Sequence, residues 1–132
     1  MIEKNPSLKD KVFSMPVVVP GLTAGISYLS DLFLSEGDTL LAGNPSWDNY
    51  ALIVETRRSA NLKQFPMFVG DGYEGGFNLE GFKVAVEEEA KKGSVKVLLN
   101  FPQNPSGYTP TITEVEEICK IIKAQAEKGT KF

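Results

Sequence analysis

The chain has 132 residues, 42% hydrophobic and 23% charged, with a net charge of -3 at neutral pH. That is enough for one domain with its own core, and the acidic balance excludes a general nucleic-acid or membrane-surface binder, both of which need a basic face. Histidine is absent and Cys119 is the single cysteine, which removes the commonest general base, an internal disulfide and any zinc-site spacing.

Residues 1–16 read as an irregular lead-in; "MIEKNPSLKDK" has no apolar core and is not expected to be a signal peptide. Val17, Val18 and Val19 predict a short buried strand, ended by Pro20 and Gly21. Leu22, Ile26, Leu29 and Phe33 then recur at helical spacing, with a stop near Glu36 where Gly37 suits a left-handed cap. "TLLAG", residues 39–43, predicts a second strand. Trp47, Tyr50 and Val54 mark a second helix, and "NLKQF", residues 61–65, a third strand before the glycine-rich "VGDGYEGG". Leu79, Phe82, Val86 and Ala90 form the stripe of a third helix. Asn78 suits its N-cap, Gly93 its end, and Lys91 and Lys92 its dipole. "VKVLLN", residues 95–100, carries the strongest strand signal. Thr113 and Glu116 have capping-box spacing for a last helix, whose expected buried face is Val115, Ile118, Ile122 and Ala126. No apolar run is long enough to span a bilayer, and no repeat or linker divides the chain. With one unpaired cysteine, a cytoplasmic setting is expected.

Strands alternating with helices predict an α/β fold: a three-layer α/β/α arrangement around a parallel sheet, as one domain over residues 1–132. In such sheets ligands bind beyond the carboxyl ends of the strands. Three unusual loops fall there. "PGLTAG" leads into a helix N-terminus, where open N–H groups and the dipole favour a phosphate; the plainer reading is a tight turn at Gly21 with Thr23 as a cap. "GNPSW" sets Trp47 after a strand, where an indole could cover a flat ring or simply fill the core. "NFPQNPSG" holds the Asn104 amide between Pro105 and Gly107, either to meet a ligand or as an ordinary Asn-Pro turn. Together they describe a phosphate grip, a stacking ring and a directed amide, which suits a flat phosphorylated heteroaromatic ligand.

The run "GLTAGISYLSDLFLSEGDTLLAGNPSWDNY" and the motif "NFPQNPSG" resemble the pyridoxal-phosphate-dependent aminotransferases of fold type I, in the class I group that includes aspartate aminotransferase. The resemblance covers about residues 17–132. It implies that the chain is part of the family's large, cofactor-binding domain. It also implies that Gly21, Leu22 and Thr23 hold the phosphate of pyridoxal 5'-phosphate, that Trp47 stacks on its ring, and that Asn104 donates to the ring's phenolic oxygen. A cis peptide is expected at Asn104–Pro105, and one at Asn44–Pro45 fits the same pattern.

Some of the family's features have no match here. The Schiff-base lysine, the aspartate that pairs the pyridine nitrogen and the arginine that grips the substrate carboxylate are expected beyond Phe132. Arg57 and Arg58 match no family arginine and read as surface charges. The resemblance therefore implies a fragment, inactive alone, of a homodimeric enzyme of amino-acid metabolism acting on an amino acid and a 2-oxo acid. The alternatives are a lyase or decarboxylase on the same fold, a non-catalytic nucleotide-binding module, or a structural domain without a site. The family's strand order places residues 61–65 beside 39–43, and those beside 95–100. The outer edge of the last strand is then expected to be covered by another chain, by a displaced Val17, Val18 and Val19, or by the rest of the parent enzyme.

Overall fold

Strong β-formers flanked by turn residues build the centre of the molecule. The computed structural model describes residues 2–70 and 75–132; Asp71, Gly72, Tyr73 and Glu74 of the glycine-rich loop lie outside them. In chain order the elements are α1 (Leu22–Phe33), β1 (Thr39–Asn44), α2 (Asn49–Ala51), β2 (Asn61–Pro66), α3 (Leu79–Ala90), β3 (Lys96–Leu98) and α4 (Ile112–Glu127). Helix α2 continues as a π-helix, Leu52–Thr56. The strands form one parallel sheet in the order β2-β1-β3, as the expected strand neighbours require.

Strand alternation sorts the side chains into two layers. Leu41 and Phe65 face a core shared with Phe82, Ala85 and Val86 of α3 and Ile118 of α4, with Val97 packed against it. Leu40 and Leu62 face the other way, against Leu34, Val54 and Ala60. Helices thus cover both faces, giving the three-layer α/β/α architecture. Asn78 caps α3 as its position implies, accepting from the Gly81 N–H at 2.8 Å.

Several local expectations are corrected. Val17 and Val18 are 85% and 95% exposed and belong to no strand. A buried strand needs a neighbour to pair with, and Pro16 and Pro20 each remove a donor. Helix α1 ends at Phe33 with Leu34 as its C-cap, and Gly37 instead turns the chain with φ 80°, donating its N–H to Ser59 O. Strand β3 is only three residues long, because it pairs on one side with β1 and then peels into the proline loop. Its outer edge is met at the start by Lys131, which accepts from Val95 N and donates to Gly93 O. The capping box of α4 is formed by Thr111 and Glu114, not Thr113 and Glu116. The helix therefore turns Ile118, Ile121, Ile122 and Gln125 inward, and leaves Val115 and Ala126 exposed.

Arg57 and Arg58 are more than surface charges. Arg57 binds the Asp31 carboxylate through Nε and Nη2, at 3.2 and 2.6 Å. Arg58 donates to the Leu34 carbonyl from Nε and Nη2, at 3.0 and 2.6 Å, closing the C-terminus of α1. Replacing Arg58 by alanine leaves that carbonyl short of two donors and is expected to cost about 1–2 kcal/mol. Urea denaturation checks this, and a midpoint unchanged from wild type refutes the tie.

Candidate functional site

The carboxyl ends of β1 and β3 each run into a proline loop. Asn44–Pro45 and Asn104–Pro105 are both cis, as expected, and Phe101–Pro102 is a third cis bond. The parallel strands bring the two loops to one edge. Two side-chain bonds join the loops or the helix that follows the first of them: Gln103 Nε2 donates to Pro45 O at 2.7 Å, and Asn100 Nδ2 to the Tyr50 hydroxyl at 3.3 Å. Between them lies a cavity of about 20 Å³, lined in part by Gly43, Ser46, Tyr50, Asn100 and Gln103, room for about one water. Burial pushes the Tyr50 hydroxyl above its usual pKa, partly offset by the bond from Asn100.

Trp47 is half-buried at the start of α2, and it meets Tyr50 edge-on with ring centroids 5.5 Å apart and planes at 89°. Trp47 thus packs against Tyr50 without being fully buried. Asn104 is exposed, and among the described residues no hydrogen bond is formed by its side-chain amide. The buried, fully engaged amide of the loop is its neighbour Gln103, which sequence reasoning missed. The signal available was only that "PQNP" sets two amides, Gln103 and Asn104, side by side between prolines.

Gly21 is the N-cap of α1, with φ 95°, in the left-handed region that favours glycine. Its carbonyl accepts the first helical bond, from Gly25 N at 3.1 Å. The N–H groups of Leu22, Thr23 and Ala24 consequently have no carbonyl one turn upstream, and no side chain caps them. Leu34, at the end of α1, packs with Leu40 at the start of β1. The C-terminus of α1 thus lies at the amino end of β1. Gly21, Leu22 and Thr23 are exposed. Among the described residues, no hydrogen bond or ring contact joins them to Trp47 or Asn104.

The Asn104 loop is also anchored from behind. Tyr108 donates its hydroxyl to Glu114 Oε1 at 2.7 Å, and its ring meets Phe68 edge-on at 5.1 Å. Burial and the carboxylate push Tyr108 up to about 12. Glu114 itself sits at about 2: burial alone would raise it, but the N–H of Phe77, the Tyr108 hydroxyl and both donors of Thr111 outweigh that. No helix among the described residues is long and apolar enough to cross a membrane.

Residues 2–127 match the model of the family described as aminotransferase class I and II. Over 104 residues the chain is 28% identical to a probable aspartate/prephenate aminotransferase of Rickettsia conorii, covering 76% of this chain and 24% of that protein; the Rickettsia felis counterpart matches equally. The chain thus spans about a quarter of the length of these relatives. Among solved structures it is similar to an aminotransferase from Anaerococcus prevotii, at 30% identity and TM-score 0.76, covering 86% of this chain and 27% of that one. It shares its fold with a pyridoxal-phosphate-bound C–S lyase from Staphylococcus hominis, at 20% identity and TM-score 0.69, covering 86% and 29%.

Proposed function

Because the chain belongs to the aminotransferase class I and II family, we propose that it forms the cofactor-facing part of an enzyme that moves an amino group between an amino acid and a 2-oxo acid with pyridoxal phosphate. The observation that carries this is the meeting of the "NPSW" and "NPSG" loops at one strand edge, joined from Gln103 to Pro45. The groups present suit the cofactor. Three helix N–H groups lie open at the start of α1, and a Cβ built on Gly21 meets nothing within 4 Å. A half-open indole and an unengaged amide supply the rest.

In this reading the N–H groups of Leu22 and Thr23, with the Thr23 hydroxyl, hold the phosphate against the dipole of α1. Gly21 lets the chain turn close to it. Trp47 covers one face of the ring and keeps water off it. The Asn104 amide donates to the ring's phenolic oxygen and favours its ionised form. When bound, the cofactor supplies the electron sink that lets an amino acid lose its α-proton. No lysine of this chain is assigned to take that proton, and the 132-residue chain alone is expected not to transaminate. Turnover of an amino acid by the purified chain, well above that of free cofactor, refutes this. The C–S lyase shares the fold alone, which does not fix the reaction, so amino transfer is preferred on the family match.

Trp47 is the only tryptophan, which makes the binding test direct. Titration with pyridoxine 5'-phosphate, which has no aldehyde to react with surface lysines, is expected to quench Trp47 fluorescence. It should also shift the amide resonances of Leu22 and Thr23 and the Asn104 side-chain resonance. Shifts produced by ATP and not by the vitamin phosphate favour the nucleotide-binding module instead. Vitamin-phosphate shifts confined to other residues overturn the site.

A further inference from the structure

Gln103 differs from everything around it. Pro102, Asn104 and Pro105 are exposed, whereas Gln103 is 6% exposed. A glutamine side chain has two N–H donors and two acceptor positions, and here all are used. Oε1 accepts from Ser106 N at 2.9 Å and from the Ser106 hydroxyl. Nε2 donates to Pro45 O at 2.7 Å and to Asn104 O at 2.8 Å. Its own N–H donates to Tyr108 O at 2.8 Å.

We infer that Gln103 is the positioning residue of this edge: its carbonyl end shapes the Asn104 loop, and its amide end fastens that loop to the Trp47 loop. The two ends have separate jobs. Without the Oε1 end, Ser106 loses the partner that folds residues 103–107 into a tight turn and sets the direction of Asn104. Without the Nε2 end, the turn loses its bond to Asn104 O but keeps those from Ser106 and from Gly107 N to Gln103 O, and it is no longer tied to Pro45, two residues before Trp47. A fully satisfied buried amide fixes one arrangement, since any other leaves a donor or acceptor unpaired at a cost. The consequence for the cofactor rests on the aminotransferase reading; the coupling of the two loops does not.

The separation of jobs supplies the test. Gln103→Met has similar length and no polar end, while Gln103→Glu keeps both acceptors and loses both donors. Amide exchange at Ser106 and the Trp47 indole N–H resonance are read by NMR on the full chain without ligand, with Arg58→Ala as a control destabilised far from the loops. Gln103→Met is expected to speed Ser106 exchange about tenfold, the equivalent of one ordinary hydrogen bond, and to move the Trp47 resonance. Gln103→Glu is expected to move the Trp47 resonance and leave Ser106 protected. Arg58→Ala is expected to do neither. Should Gln103→Met fail to fold, Gln103→Glu alone decides: an unmoved Trp47 resonance overturns the inference, as does loss of Ser106 protection. A matching loss of pyridoxine 5'-phosphate affinity in Gln103→Glu extends the role to the cofactor. If the wild-type chain binds none, the aminotransferase site fails while the ligand-free resonances still judge Gln103.

Discussion

Replacing Glu114 by alanine is expected to cost about 2–4 kcal/mol of stability and to flatten the acid side of the stability profile. Glu114 accepts from Phe77 N at 2.8 Å, the Tyr108 hydroxyl at 2.7 Å, and Thr111 N and Oγ1 at 2.7 and 2.9 Å. Alanine leaves a buried N–H and a half-buried hydroxyl unpaired and removes half of the capping box of α4. The pH dependence follows from the carboxyl's titration. Its folded value, about 2, lies below the ordinary 4.5, so the folded state favours the charged form. The stabilisation is fully present above pH 4.5 and is lost as pH falls towards 2. Since Glu114 is only partly buried, roughly 2 kcal/mol of pH-dependent stability is expected after solvent screening. Urea midpoints from pH 7 to pH 2 measure both effects. A variant whose midpoints fall as steeply as the wild type's below pH 4.5 assigns the acid sensitivity to other groups.

A cost of about 3–5 kcal/mol is expected for Phe82→Ala, enough to leave much of a marginally stable chain unfolded. Phe82 is fully buried, with its ring 5.4 Å from Phe65 and 5.9 Å from Phe77. Phe77 in turn meets Phe101 at 6.1 Å, where the Asn104 loop begins. The cavity therefore opens beneath the candidate site, and Phe82→Leu should recover most of the loss. Circular dichroism during urea titration reads both variants. A cost below about 1 kcal/mol for alanine would mean that the ring cluster collapses into the space.

The parts legible in the sequence were those fixed by local pattern. The stripe and Asn78 cap of α3, and the strand signals of β1 and β2, needed only neighbours in the chain. The α4 cap shows where that limit lies. Thr111 with Glu114 and Thr113 with Glu116 have identical spacing. Phe77 and Tyr108 favour the first pair, and both come from outside the helix. Val17, Val18 and Val19 have strand composition, but composition supplies no partner strand. At the candidate site, the sequence reading took Asn104 as the amide held by Pro105 and Gly107, whereas in the structure Asn104 is exposed and the held amide is Gln103. Burial at single-residue resolution is set by packing, and two adjacent amides between prolines look alike without it.

Strand β1 lies between two partners that are unequally distant along the chain, which gives the sheet an order of assembly. It pairs with β2 across 22 residues, Thr39 with Asn61, and with β3 across 56, Leu40 with Lys96. Closing the longer loop costs about 0.8 kcal/mol more chain entropy, and β3 returns only three paired residues for it. The β1–β2 ladder is therefore expected to form first, with the β3 ladder condensing on it later. The loop carrying Asn104 arrives with that later step, so in a refolding experiment the loop contacts at Pro45 should be among the last native contacts to appear.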